Sequence, residues 1–338
     1  MGAMLLSAGN LIKKSEALFA GAEFSRPRFD VLQSSRSQTL QDGNAKRTFA
    51  RPNMLPGQAS QTLLVASIMR ARHQLFDAPL IFDDPVVLKL VPEAEDPDVL
   101  KDLGDSTGPM ARSLRSMLAV RSRFAEDRLA QAVTRGIRQY VIFGAGLDTF
   151  PWRQPNFAKN LQIFAADHPA SLVQTNRIFR ERGFVRPPNL VRVPLDFEQR
   201  HIGEQLAACD FDRNAASFCS ALGVLLYLED EIVDDVLRFI TSLQPSSEIV
   251  FSFFPPDDEL DGLDLEIARR IGAKFAAIGE PWKSRLGPRA MVKRLSALGF
   301  GEILHLSPEL AQVQYFSARS DKLAAPYFEQ MIAAVVSG

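Results

Sequence analysis

The chain has 338 residues, 46% hydrophobic and 23% charged, with a formal net charge of −1. That length allows one large α/β domain or two smaller ones with ample core, and the composition is ordinary for a globular protein. The near-neutral balance excludes a globally basic nucleic-acid binder and a strongly acidic disordered chain, and no run reaches the roughly 20 apolar residues of a membrane span. Neither nucleic acid nor membrane is therefore an expected partner. Two cysteines, Cys209 and Cys219, offer neither a disulfide framework nor a metal-ligand cluster. Reduced thiols, a cytoplasmic setting and no bound metal are expected. The opening "MGAMLLSAGNLIKK" places its basic pair after the apolar stretch, the reverse of a secretory signal.

Residues 1–52 mix Ser, Arg, Gln and Asn with little apolar periodicity and read as an arm, with a short helix near 9–21. Residues 53–136 read as a helical cap. "SQTLLVASIMRARHQLF" has helical spacing, and "ARSLRSMLAVRSRFAEDRLAQAVTRG" is a long amphipathic helix that stops at Gly136. Between them, prolines and aspartates in "DAPLIFDDPVVLKLVPEAEDPD" force turns. From 137 to 338 short apolar runs alternate with helical stretches. The runs are "QYVIFGAG", "QIFAAD", "NLVRVPLD", "ASFCSALGVLLYL" and "SEIVFSFF". This alternation predicts an α/β fold with a mostly parallel sheet wound by right-handed crossovers. A polar helical insert follows over 255–285, then a helix, "GPRAMVKRLSALGF", and two strand-like ends, "GEILHLSP" and "AQVQYFSARSD".

The chemistry centres on "YVIFGAGLDTFP" at 140–151. An apolar run feeds Gly144, Ala145 and Gly146, and glycines let backbone approach a ligand closely. The following helix is expected to present its N-terminus to that ligand. Alone, such a loop is a weak signal. Asp167 lies 21 residues after Gly146 at the end of the next run, and Asp196 ends the third. Either acid alone is a turn or helix-cap residue as readily as a ligand contact. In register with a glycine loop, the pair points to a nucleoside at the carboxyl ends of the strands. Thr149 stands where a dinucleotide fingerprint has its third glycine, and the loop carries no basic residue. A nucleoside without a pyrophosphate, such as S-adenosylmethionine, suits it better. Its carboxylate needs a planar cation, and Arg115, Arg121, Arg123 and Arg128 precede the first strand.

These pieces resemble the leucine carboxyl methyltransferase family of S-adenosylmethionine-dependent methyltransferases, within it the bacterial O-methyltransferase-like branch. The resemblance spans residues 58–325 and is carried by "SQTLLVASIMRARHQLFDAPLIFDDP", "AVRSRFAEDRL", "RQYVIFGAGLDTFPWRQP", "FAADHPAS", "VRVPLDFE", "ALGVLLYLEDEIV" and "QYFSARSDKL". It implies a Rossmann-like class I methyltransferase with a seven-stranded, mostly parallel sheet. The antiparallel last strand would come from "AQVQYFSARS", with a helical N-terminal cap and an insert after the fifth strand. S-adenosylmethionine would be the cofactor and S-adenosylhomocysteine the product. Arg121 would hold the cofactor's carboxylate. Gly144, Ala145 and Gly146 would contact its methionine part, Asp167 with His168 its ribose, and Asp196 with Phe197 its adenine. Leu222 and Gly223 complete the expected cofactor set. Leu222 departs from the leucine methyltransferases, which carry an acid there that contacts the cofactor's amine. Gln61 stands where those enzymes have a lysine.

Methyl transfer from a sulfonium is an in-line displacement that depends on positioning and exclusion of water. A carboxylate acceptor, with an unperturbed pKa near ~4, is already ionised and needs no general base. A phenol or alcohol usually does. The histidines are His73, His168, His201 and His305. The sequence offers no evident base, so no catalytic residue is assigned; Tyr227, Arg153 and His168 are substrate-side candidates. The expected reaction is O-methylation of a carboxylate on a small molecule or peptide by a monomer or homodimer. A phenol or hydroxyl acceptor is the alternative. A nicotinamide (NAD) oxidoreductase and a non-catalytic nucleoside-binding protein are the alternatives of other classes.

Overall fold

Helix starts in this chain repeatedly place a proline at the first helical position, where its missing N–H costs nothing. The computed structural model describes residues 61–95, 108–199 and 201–338. The arm expected over 1–52 and its helix near 9–21 lie outside the described residues. Helix α1 is Gln61–Phe76. Helix α2, Pro85–Leu90, is capped by Asp84, whose carboxylate accepts the Val87 N–H. Helix α3, Pro109–Thr134, begins at Gly108-Pro109. It ends before Gly136, at φ +102°. Its C-terminal half packs Phe124, Leu129 and Ala132 on the sheet. Its N-terminal half packs Leu114, Met117 and Leu118 against Ile68 and Met69 of α1. One helix thus ties the N-terminal helices to the sheet.

Strands β1 (Gln139–Phe143), β2 (Gln162–Asp167), β3 (Leu190–Pro194), β4 (Ser217–Ala221) and β5 (Glu248–Phe253) are parallel. Helices α4 (Phe150–Arg153), α5 (Pro169–Glu181), α6 (Ile202–Ala207) and α7 (Asp230–Thr241) connect them. Then come α8 (Gly262–Ala277), α9 (Pro288–Ala297), β6 (Phe300–Leu306), α10 (Pro308–Tyr315) and β7 (Gln330–Val336). The seven strands run β3-β2-β1-β4-β5-β7-β6, with β7 antiparallel to both neighbours. Successive strand residues point to opposite faces. Tyr140 and Ile142 therefore pack under α3, while Val141 and Phe143 pack with α6, α7 and α9. The strand order reverses between β1 and β4, where an open α/β sheet leaves a crevice for ligands.

Two expectations need correction. The antiparallel last strand is Gln330–Val336, not "AQVQYFSARS". Residues 308–315 form α10, because Ser307 accepts the Leu310 N–H and Pro308 starts the helix. The run "QMIAAVV" lies between β5 and β6 and is buried almost throughout, so it shows no alternation. The helix expected after the glycine loop is only the four-residue α4, ended by Gln154 in the left-handed region and Pro155. It presents no long helix N-terminus at the loop.

Candidate active site at the carboxyl ends of the strands

Beyond β1 the chain turns at Gly144 (φ +60°) and Gly146 (φ +46°). A Cβ on Gly144 would stand 2.4 Å from Val224 Cγ2, and one on Gly146 would stand 2.7 Å from Leu63 Cδ2. Only glycine fits both the dihedrals and the space. The Gly146 N–H donates to Asp167 Oδ2 at 2.7 Å and the His168 N–H to Oδ1 at 2.8 Å. The second strand's acid thus pins the first strand's loop. Burial pushes the Asp167 carboxyl above its ordinary value, against the pull of those two N–H groups.

Thr149 is buried and joins the loop to the N-terminal helices. Its hydroxyl donates to Asp84 Oδ2 and accepts from Arg70 Nη2, both at 2.7 Å. Arg70 also donates to the Leu147 carbonyl at 3.3 Å. The residue that breaks the dinucleotide pattern is a tie to the cap.

Arg121 lies against the turn after β4, where a Cβ on Gly223 (φ +70°) would come within 2.7 Å of its Nη1. Its Nη1 donates to Glu329 Oε1 at 3.2 Å, and the Gly223 N–H donates to Ser252 Oγ at 2.7 Å. The Asp196 carboxylate accepts the Glu198 N–H and the Gln199 side chain, both at 3.0 Å, so it is also a turn residue. The Phe197 ring sits 5.8 Å from that of Phe143.

A cavity of ≈ 620 Å³ brings these groups together. Arg121, Gly144, Ala145, Gly146, Asp167, His168, Asp196, Phe197, Leu222, Gly223 and Tyr227 all line it. His168 Nδ1 accepts the Ala170 N–H at 3.2 Å and caps α5. Arg153 does not line the cavity. It pairs with Glu126, lies 3.8 Å from Asp84 Oδ1 and stacks 4.8 Å over Phe82. The substrate-side candidate Arg153 thus pairs with α3 and the N-terminal helices. His73 is buried elsewhere, with Nε2 accepting the Ile81 and Phe82 N–H groups. His305 bonds Gln330, and His201 is exposed. Sequence reasoning missed Glu329, Ser252 and Arg70. Asp84 had a readable signal, an acid before a proline that starts a helix.

A Rossmann-like sheet with a glycine loop, and an acid at the next strand end holding it, defines a nucleoside-binding enzyme. A model of the leucine carboxyl methyltransferase family matches residues 63–241. The chain is 29% identical to the "Putative S-adenosyl-L-methionine-dependent methyltransferase YktD" of Bacillus subtilis (strain 168), over 80% of this chain and 96% of that protein. It is also 29% identical to a protein of Mycolicibacterium gilvum (strain PYR-GCK) with the same description apart from "YktD", over 52% of this chain and 54% of that protein. Among solved structures, a "putative methyltransferase" from Thermobifida fusca YX superposes with a TM-score of 0.55 at 14% identity, over 86% of this chain and all of that one. That likeness is one of fold. The chain belongs to the leucine carboxyl methyltransferase family. It is a methyltransferase, and its methyl donor is S-adenosylmethionine.

Proposed function

We propose that S-adenosylmethionine lies across the ends of β3, β2, β1 and β4 and that the enzyme methylates a carboxylate oxygen of a small molecule or peptide. One observation carries this reading. Residues from five separate stretches, Arg121, Gly144–Gly146, Asp167, Asp196 and Gly223, line one cavity at the sheet's switch point. The residues fit the donor. Arg121 offers a guanidinium fork to its carboxylate, and the main chain at Gly144 and Gly223 lines the cavity beside it, where the methionine chain would lie. Asp167 keeps lone pairs for ribose hydroxyls beyond the two N–H groups it accepts. Phe197 and Asp196 flank the adenine. Carbonyls near Gly144 and Leu222 receive the amine, since Leu222 offers no acid.

Bound there, the donor supplies an electrophilic methyl. Transfer forms the O–C bond, breaks the S–C bond and leaves neutral S-adenosylhomocysteine, with no proton to place when the acceptor is a carboxylate. The protein's part is then to position the acceptor and exclude water. His168 is the one histidine lining the cavity among the described residues, and its Nδ1 is committed to capping α5. That favours an acceptor that needs no base. A methyl-transfer screen over carboxylic acids and phenols, read by product mass, tests this. The expected product releases methanol in mild alkali. A product stable to alkali would show a phenol or hydroxyl acceptor instead.

A further inference from the structure

The cavity changes character across the switch point. On the side of β1, β2 and β3 its wall combines loop backbone and the acids Asp167 and Asp196 with the Phe197 ring. On the side of β4, β5 and β7 it gathers Leu226, Phe254, Phe275 and Trp282, with the buried Phe328 behind them and Tyr227, Glu280 and Lys283 beside them. Phe254 follows β5, Phe328 precedes β7, and Phe275 and Trp282 come from the insert. Phe254 lies 4.7 Å from Trp282 and 6.3 Å from Phe328, centroid to centroid, in tilted contacts. Phe275 meets Trp282 edge-on at 6.4 Å.

Main-chain bonds hold this wall. The Lys283 and Ser284 N–H groups both donate to the Leu226 carbonyl, at 2.7 and 3.1 Å, and the Leu286 N–H donates to the Phe254 carbonyl at 3.1 Å. Ser284 Oγ donates to Asp230 at 2.7 Å.

We propose that this wall is the acceptor subsite and that the methyl acceptor is a small aromatic molecule, its ring against Phe254, Phe275 and Trp282. The inference rests on the placement of the cofactor against Arg121 and Asp167, which leaves this wall to the acceptor. Fixed aromatic faces and edges reward a ring with offset or edge-to-face contacts. A cavity of ≈ 620 Å³ shared with the cofactor suits a compact ring system rather than a peptide segment.

The test uses the full chain loaded with S-adenosylhomocysteine, titrated with 2-naphthoate and with its saturated counterpart, decahydro-2-naphthoate. The aromatic acid should bind about tenfold tighter. Trp282→Ala and Phe275→Ala should each cut that preference to less than about threefold while S-adenosylhomocysteine affinity stays within about twofold, which also shows that the variants fold. Equal affinity for the two acids, no binding of either, or an intact preference in both variants would overturn the proposal. Failure of S-adenosylhomocysteine itself to bind would overturn the cofactor placement, and this inference with it.

Discussion

Gly223 shows how much of this site rests on single atoms that are missing. It holds φ +70° and leaves no room for a Cβ beside Arg121 Nη1. Gly223→Ala therefore strains the turn by roughly 1–2 kcal/mol and pushes the guanidinium aside. It should weaken S-adenosylhomocysteine binding at least about tenfold. Gly183→Ala is the control: the same left-handed strain, at φ +74°, with no neighbour within 4 Å. Equal binding losses in both variants would mean that backbone strain, not displacement of Arg121, is responsible. The sequence made Gly144, Gly146, Asp167 and Asp196 legible because each sits at a strand end with a recognisable turn residue. Glu329 was not legible, because its pairing with Arg121 is a tertiary event between residues 208 positions apart.

At the scale of elements, Glu126 of α3 and Arg153 of α4 form a half-buried ion pair. Burial pushes the Glu126 carboxyl up to about 7, and Arg153 offsets that only in part. A raised acid pKa means that the folded state holds the proton more tightly than the unfolded chain. Its penalty is absent below the unfolded value near 4.5, grows as pH rises and is full above about 7. The stability of Glu126→Gln relative to the native chain should thus improve by roughly 2–3 kcal/mol between pH 5 and pH 8. Urea unfolding at both pH values measures it, and a change of opposite sign would show that the pair stabilises the ionised form. The same contact explains a limit of sequence reading. Arg153 in "FPWRQP" was a substrate-side candidate, and its partners, Glu126 and Asp84, come from distant segments. The stunted α4 was foreshadowed by Pro151 and Pro155, which outweigh the usual expectation of a full helix after a glycine loop.

At the scale of the whole molecule, the parallel strands were readable because each is a short apolar run bounded by turns. The last strand was not. "AQVQYF" alternates and resembles a strand, while its helix start, Ser307-Pro308, decides otherwise. "QMIAAVV" lacks alternation because neighbours cover both its faces and both its edges. The order β3-β2-β1-β4-β5-β7-β6 then places Asp167 and Asp196 on one side of the switch point and the Phe254–Trp282 cluster on the other. The central claim is that this cavity is the S-adenosylmethionine site, read through Arg121 and Asp167. Calorimetry of the full chain and of Asp167→Asn, with S-adenosylhomocysteine and with NAD, tests it most directly. The account predicts that the native chain binds S-adenosylhomocysteine and not NAD, and that Asp167→Asn weakens that binding about tenfold. Binding of NAD in place of the sulfur nucleoside, or unchanged S-adenosylhomocysteine affinity in Asp167→Asn, would contradict it.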